Sequence, residues 1–410
     1  MKNTFKILAL ITLCSIVSGL HGQAPLSQES KSYSFSFPIG FLDFHKDMTY
    51  NYQLNRWNSL GFANESDLRK AAANIKNFDD WERELLAIAR TAEKEKRYLN
   101  AAFYYRAAEF YIPQGTPNKI SYYRSFRELF SIATQDIPLE HVNIPYQGAF
   151  LPAMKLSSSQ PGPEKSILIH GGFDSFMEEF LSIMLYFSSK GYTVYAFDGP
   201  GQGAALRLHN LTFDYEWEKP VSVVLDHFKL DDVTLLGISL GGYLSIRAAA
   251  FEPRINRVIP MSVSYDSMEI PPKILQPIVR LFYFKFRDFT NKSSWKQIEK
   301  GGQQSWYLSN LMYMTGVDQP IDGIDIVSSM SAEVLHSERV TQDVLILTGR
   351  NDHLVPFKLH KMQVKALINA TSVTEKIYNK STHANNHCQI GNVGLAMQDI
   401  VSWLEELENK

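Results

Sequence analysis

The sequence predicts an α/β fold: a mostly parallel sheet flanked by helices, with an N-terminal helical domain in front and a lid insertion within. Three observations carry this. After residue 137, short apolar runs alternate with helix-length segments, and the runs lack the polar alternation of a half-exposed strand. That pattern marks parallel strands covered on both faces. Before residue 137 the apolar spacing is helical. At 410 residues the chain also exceeds one structural unit, at roughly 100–200 residues per domain.

Residues 1–22 read as a cleaved export signal. Lys2 and Lys6 make a basic start, 7–20 is largely apolar, and Gly19, Gly22 and Ala24 supply small residues around Gln23. The stretch is too short and wrongly flanked for a membrane anchor, so the mature protein is expected to be exported, periplasmic or secreted. Leu13 is bulkier than a lipid-attachment site accepts, which argues against lipidation of Cys14. No later stretch approaches the ~18 uninterrupted apolar residues of a spanning helix. The mature chain keeps one cysteine, Cys388, so it stands on its core without an intramolecular disulfide.

Residues 23–136 form the N-terminal helical (cap) domain, with a weakly patterned lead-in over 23–36. Trp81, Leu85, Ile88 and Ala92 fall on one helix face, as do Tyr98, Ala101, Ala102, Tyr105 and Ala108 on the next segment, which Pro113 ends. One such pair without a repeat excludes a solenoid. Residues 137–410 form the α/β domain. Runs at 141–145 and 150–156 around Tyr146-Gln147-Gly148 predict a hairpin. Strands follow at 166–170, 193–197, 233–237, 255–261, 344–348 and 373–378, with helices at 176–190, 216–229, 242–250, 357–369 and 393–408. An insertion over about 267–340, rich in Phe, Tyr and Met, is the expected lid and substrate wall, with Phe284 and Trp306 among its large side chains.

Composition narrows the function classes. Lys+Arg number 41 against 43 Asp+Glu, a net charge of −2, which leaves no basic excess for a nucleic-acid backbone. With 25 Phe, 20 Tyr and 6 Trp the chain is too apolar to stay disordered.

The sharpest chemical signal is Gly237-Ile238-Ser239-Leu240-Gly241-Gly242, an apolar strand running through Gly-x-Ser-x-Gly into a helix. Such a turn lifts a serine hydroxyl above the sheet edge, and the helix N-terminus with the Leu240 amide favours the oxyanion formed when that hydroxyl attacks a carbonyl. A nucleophilic Ser239 needs an acid and a base, in chain order Ser, Asp, His. Asp352 follows a buried strand on the same sheet edge. His383 and His387 both follow the last strand, and local reading leaves the two open. Gly172 or Phe173, in His170-Gly171-Gly172-Phe173, is the expected second oxyanion donor, and His170 reads as a structural hydrogen-bonder. Phe197-Asp198-Gly199-Pro200-Gly201-Gln202-Gly203 lacks dinucleotide-loop spacing, so no nicotinamide site is read there. No zinc-ligand spacing and no P-loop occur.

Taken together, HGGFDSFMEEF at 170–180, FDGPGQG at 197–203, GISLGG at 237–242, GRNDHLVP at 349–356, HCQIGN at 387–392 and the helical YYRAAEFY at 104–111 resemble one group. It is the α/β-hydrolase subgroup of 2,6-dihydropseudooxynicotine hydrolase and the fungal Ayg1-type polyketide-shortening hydrolases. The resemblance covers nearly the whole mature chain. It implies that the histidine of the HCQ motif, His387, is the base. It also implies cleavage of carbon–carbon bonds beside ketones, or of simpler acyl bonds, without a cofactor. One member uses a further acidic residue shortly after the nucleophile; Asp266 and Glu269 lie in that region, and no motif aligns either. The export signal departs from an intracellular pigment or alkaloid role.

The expected protein is therefore a cofactor-independent serine hydrolase of a small-molecule carbonyl compound, with Ser239, Asp352 and His387 catalytic. Carbon–carbon cleavage needs a second carbonyl to stabilise the departing carbanion, as in a β-diketone or aryl ketone. A carboxylesterase or thioesterase needs no such sink and is the alternative, with a peptidase or a non-catalytic binding module behind it.

Overall fold

In this computed structural model residues 35–409 are described; the expected export signal over 1–22 and most of the expected lead-in over 23–36 lie outside them. Helices α1 (Met48–Ser59), α2 (Glu65–Ala72), α3 (Phe78–Lys94), α4 (Tyr98–Glu109) and α5 (Pro117–Thr134) come first. Side chains start two of them: Asp47 accepts from the Thr49 amide, and Asn77 from that of Asp80, each satisfying an otherwise orphaned helix donor. Trp81, Leu85, Ile88 and Ala92 are all buried on α3. Helix α4 departs from its expected single apolar face: every residue from Ala101 to Glu109 is buried. Its small alanines let α3 and α5 close on it, and its two charged side chains are buried as ion pairs.

The sheet contains β1 (Leu139–Tyr146), β2 (Ala149–Leu156), β3 (Lys165–His170), β4 (Tyr192–Phe197), β5 (Val233–Ile238), β6 (Ile255–Met261), β7 (Asp343–Gly349) and β8 (Ser372–Tyr378). Their order is β1-β2-β4-β3-β5-β6-β7-β8. β1 and β2 pair antiparallel, β2 joins β4 antiparallel, and every pairing from β4 to β8 is parallel. Gln147 and Gly148 both take positive φ, 48° and 77°, the backbone a two-residue hairpin turn requires.

Helices α6 (Leu181–Ser189), α7 (Gly203–His209), α8 (Glu218–Phe228), α9 (Leu240–Ala249), α10 (Gln276–Phe284), α11 (Arg287–Lys300), α12 (Gln303–Thr315), α13 (Pro320–Ser328), α14 (Ala332–Leu335), α15 (Phe357–Ala366) and α16 (Val393–Glu408) complete the described fold. The insertion expected at about 267–340 is the helical run α10–α14.

Alternation along the strands shows why they read as unbroken apolar runs. Ile167, Ile169, Leu236, Leu345 and Leu347 join one core cluster with α6 and α16; Leu168, Leu235, Val344 and Ile346 join another with α8 and α9. The first cluster continues without a break into Trp57, Trp81 and Phe103 of the N-terminal helices. Trp81 is fully buried and donates its indole N–H to the Ala107 carbonyl at 2.7 Å. Trp81→Ala should therefore cost roughly 3–5 kcal/mol, read as a lower midpoint of a single urea-unfolding transition reported by whole-chain circular dichroism.

Candidate active site

Carboxyl ends of parallel strands are where open α/β sheets place ligands, and here four of them converge. Ser239 follows β5, Asp352 follows β7, His387 follows β8, and Gly172 and Phe173 follow β3. Ser239 has φ 65° and ψ −124°, a strained backbone of the kind that a nucleophile elbow imposes. The turn closes that tightly because a Cβ on Gly237 would overlap the Gly241 carbonyl.

The structure brings three of the anticipated side chains into one hydrogen-bonded line. Ser239 Oγ lies 2.8 Å from His387 Nε2, and His387 Nδ1 lies 2.8 Å from Asp352 Oδ2. The other Asp352 oxygen accepts from the Leu354 and Val355 amides at 2.9 and 2.8 Å. Burial alone would raise the Asp352 carboxyl; the His387 ring and these amides overcome it and hold the group below the ordinary aspartate value. Burial likewise opposes a charged His387, but Asp352 and then Cys388 outweigh it and hold the imidazole well above its ordinary value. His383 is exposed and sits at φ 59°, its amide closing the turn at Lys380. The strand-to-helix loop lies against the Asp352 loop, with the Asn351 amide donating to the Asn385 carbonyl at 2.9 Å. That contact leaves His383 on the outside and His387 within.

The two alternatives for a second oxyanion donor also separate. The Gly172 amide is engaged by Ser175 Oγ at 3.0 Å, whereas Phe173 lines the cavity together with Leu240, Ser239 and His387. A Cβ on Gly172 would stand 2.6 Å from the Leu240 nitrogen, so glycine there lets the loop approach the helix start. His170 is fully buried, with Nδ1 3.1 Å from the Gly171 carbonyl; burial pushes it down to about 4, and it serves the core.

Several residues that sequence reasoning passed over hold this loop. Gln202, from the glycine-rich FDGPGQG segment, donates to the Gly171 and Gly172 carbonyls at 2.8 and 3.3 Å. Arg56 of α1 donates to Asp174 at 2.8 Å and to Glu179 at 2.6 Å. Arg106 of α4 reaches the Asp174 carbonyl, Glu179 and Glu109. Lys119 and Arg207 close on Glu109 at 3.1 Å each. Burial would raise the Glu109 carboxyl, yet Arg207, Lys119 and Arg106 draw it down to about 2. The available signal was a pair of charges inside the alanine- and tyrosine-rich YYRAAEFY helix.

A cavity of about 570 Å³ opens onto Ser239 and His387. Tyr52, Gln53 and Tyr111 of the N-terminal helices form one wall, and Trp306, Tyr307 and Met330 of the insertion another. Trp306 thus faces the cavity as expected. Phe284 does not: it is 52% exposed on the outer side of α10 and absent from the lining, because α12 supplies the wall there. A smaller chamber of about 90 Å³ reaches the same pair between Leu60, Ile183, Ile238 and Ile390. Neither acidic residue of the following segment reaches it. Asp266 accepts from the Met268 and Ala332 amides, and Glu269 from Gln276. Asp174 is the acid that lines both chambers. His353, also unweighed in the sequence, lines the larger one with its ring centroid 6.3 Å from that of His387; burial and His387 push it down to about 4. Among the described residues no cluster of His, Cys, Asp or Glu is placed to hold a metal ion.

A family model described as the alpha/beta hydrolase family matches residues 167–385. The chain belongs to the alpha/beta hydrolase family. The hydrolase is similar to hydrolase LUC6 of Fusarium sp, 26% identical over 343 residues that cover 75% of this chain and 80% of that one. It is 36% identical to 20-hydroxy-prefusarin hydrolase FUS2 of Gibberella moniliformis over 202 residues, 42% of this chain and 46% of that relative, so the chain spans about half of the latter's length. A solved 2,6-dihydroxy-pseudo-oxynicotine hydrolase has the same fold, with a TM-score of 0.61 at 20% identity over 85% of this chain and 94% of that one.

Removing the shared carboxylate of the ion cluster leaves Arg56 with Asp174 and Arg106 with Glu109 as their remaining acids. Glu179→Gln should cost roughly 3–5 kcal/mol, because Arg56 and Arg106 lose their shared partner; the shift of the urea-unfolding midpoint measures it.

Proposed function

We propose that this hydrolase cleaves small carbonyl compounds by covalent catalysis without a cofactor, with Ser239 as nucleophile, His387 as base and Asp352 as its orienting acid. The unbroken Ser239–His387–Asp352 hydrogen-bond line carries this reading. Ser239 Oγ attacks the carbonyl carbon as its proton passes to His387 Nε2, and Asp352 stabilises the imidazolium. The Leu240 and Phe173 amides meet the oxyanion. On collapse the bond to the leaving group breaks, the leaving group takes the proton from His387, and water activated by the same histidine releases the acid from the acyl-enzyme.

For the leaving group we favour a stabilised carbanion, from a β-diketone or an aryl ketone. The sink for its charge is a second carbonyl, and His353 supports this. It faces the same cavity, it is kept neutral, and a neutral imidazole N–H donates to an enolate oxygen without competing for the proton His387 carries. The two chambers that both reach Ser239 and His387 suit a substrate with a portion for each. Ester or thioester cleavage uses the same residues without His353. The leader over 1–22 supports an exported enzyme, periplasmic or secreted, and from the sequence we read a cap domain over 23–136 and a hydrolase domain over 137–410 with a lid insertion over about 267–340.

Purified protein assayed side by side on β-diketones and aryl esters tests this reading. Turnover of the diketone, lost in Ser239→Ala and lowered more for the diketone than for the ester in His353→Ala, is expected; ester turnover alone would leave the esterase. His387→Ala should lose at least 10²–10⁴-fold in rate, about the worth of general-base assistance, while His383→Ala stays close to the parent. His387 works as a base only when neutral, and its value is held above the ordinary 6.5. We therefore expect kcat/KM to rise with pH through a midpoint above 6.5, read from a pH–rate profile.

A further inference from the structure

Half of the large apolar side chains left exposed among the described residues fall between Ile270 and Trp295. Helix α10 has no buried residue. Ile278, Leu281 and Phe284 recur on its outer side at helical spacing, exposed by 52%, 45% and 52%, and Ile274 just before it is 82% exposed. Phe286 carries the same surface to the start of α11, and Phe289, also exposed, stands at its border with the cavity beneath. Interleaved with them stand five exposed cations, Lys273, Arg280, Lys285, Lys292 and Lys296, none paired with a carboxylate; the remaining cation, Arg287, is taken by Asp325. Asp288 is the one acid between residues 270 and 298. In a chain of net charge −2 this is a local reversal of sign.

The sheltered side of the same pair of helices lines a cavity of about 470 Å³ through Val279, Tyr283 and Thr290. Ser267, Ile270, Tyr307 and Val327 belong both to that cavity and to the one holding Ser239. The exposed face is thus the outer surface of a route to the nucleophile.

We propose that the α10–α11 pair docks on an anionic lipid surface. Aromatic and aliphatic side chains enter the boundary between headgroups and acyl chains, and the cations, whose long stems reach outward, meet lipid phosphates. The charge decides between occupants. An isologous contact between two copies sets each patch against itself, cations facing cations, whereas an anionic leaflet complements both the charge and the apolar area. Docked this way, the cavity beneath α10 opens beside the acyl region, a direct entry for an apolar substrate. The docking does not depend on which bond the enzyme cleaves.

Co-sedimentation of the purified protein with vesicles of phosphatidylcholine, with and without phosphatidylglycerol, tests the proposal. Binding at least tenfold tighter to the phosphatidylglycerol vesicles, weakened by added salt, is expected. Lys273→Gln with Lys285→Gln should weaken it by about tenfold or more, at roughly fivefold per cation. Ile278→Ser with Phe284→Ser should do the same, and Ile274→Ser, at the most exposed position, lowers it without touching any packed side chain. Unfolding midpoints of these variants should match the parent. Equal, weak binding to both vesicles overturns the proposal. So does light scattering that finds a dimer dissociated by the serine variants, which assigns the face to a second copy.

Discussion

The buried ion cluster of Arg56, Arg106, Asp174 and Glu179 is the constraint on which the site rests. Its arginines belong to α1 and α4, its acids to the loop that follows β3, and that loop carries Phe173. Glu179 takes both guanidinium groups, and its partners leave only 1% of its side chain exposed. Desolvating such groups is expensive, and their mutual attraction offsets the cost only when the geometry is good and the remaining hydrogen-bonding capacity is met. Here it is met: Arg106 also bonds the Asp174 carbonyl, and Arg56 the Asp174 carboxylate. A hydrophobic replacement would hold the same volume but would not fix where a backbone N–H points. The helices before β1 therefore belong to the machinery of the sheet edge as much as to its roof.

Strain collects where this framework is firm. Ser239, Ser262, Cys388 and Gln389 all take left-handed backbone without being glycine, each at a cost of order 1–3 kcal/mol. Ser262 Oγ accepts from the Cys388 amide at 2.9 Å, so the strained turn after β6 steadies the strained turn carrying His387. Tyr52 of α1 adds a hydrogen bond to the His387 carbonyl at 3.2 Å. Two strained loops and one helix thus fix the imidazole, a geometry that packing sustains against the local preference of every residue in it.

The strands, the hairpin and the elbow were legible because each rests on local chemistry. A strand covered on both faces must be apolar throughout, and a turn that brings backbone against backbone must use glycine. His383 against His387 was not legible from spacing, since which one turns inward depends on the contact between Asn351 and Asn385, thirty-four positions apart in the chain. The same holds for Arg56 and Arg106, whose shared partner Glu179 lies beyond residue 170. Gln202 belongs to a motif whose own spacing points to no partner, since the Gly171 and Gly172 carbonyls it binds lie thirty positions and more away. Phe284 was misplaced for a different reason: aromatic richness in the insertion fitted a cavity wall and an outer surface equally well, and only the packing of α12 inside α10 separates them.

Chemistry and selectivity consequently come from different parts of the chain. Ser239, Asp352 and His387 stand beyond strand ends, where parallel pairing fixes their relative positions. The cavity walls come from α1, from Tyr111, and from the helices between β6 and β7, whose mutual packing no pairing rule dictates. Phe173 bridges the two, since its ring stacks on Tyr307 at a centroid distance of 5.3 Å while the residue lines the cavity with Ser239 and Leu240. A substrate that shifts Tyr307 therefore acts on the loop that carries Phe173, so the wall supplied by the insertion is mechanically joined to the loop beside Ser239. Binding energy gathered far from the scissile bond then has a path to the rate, the condition under which selectivity appears in kcat and not in KM alone.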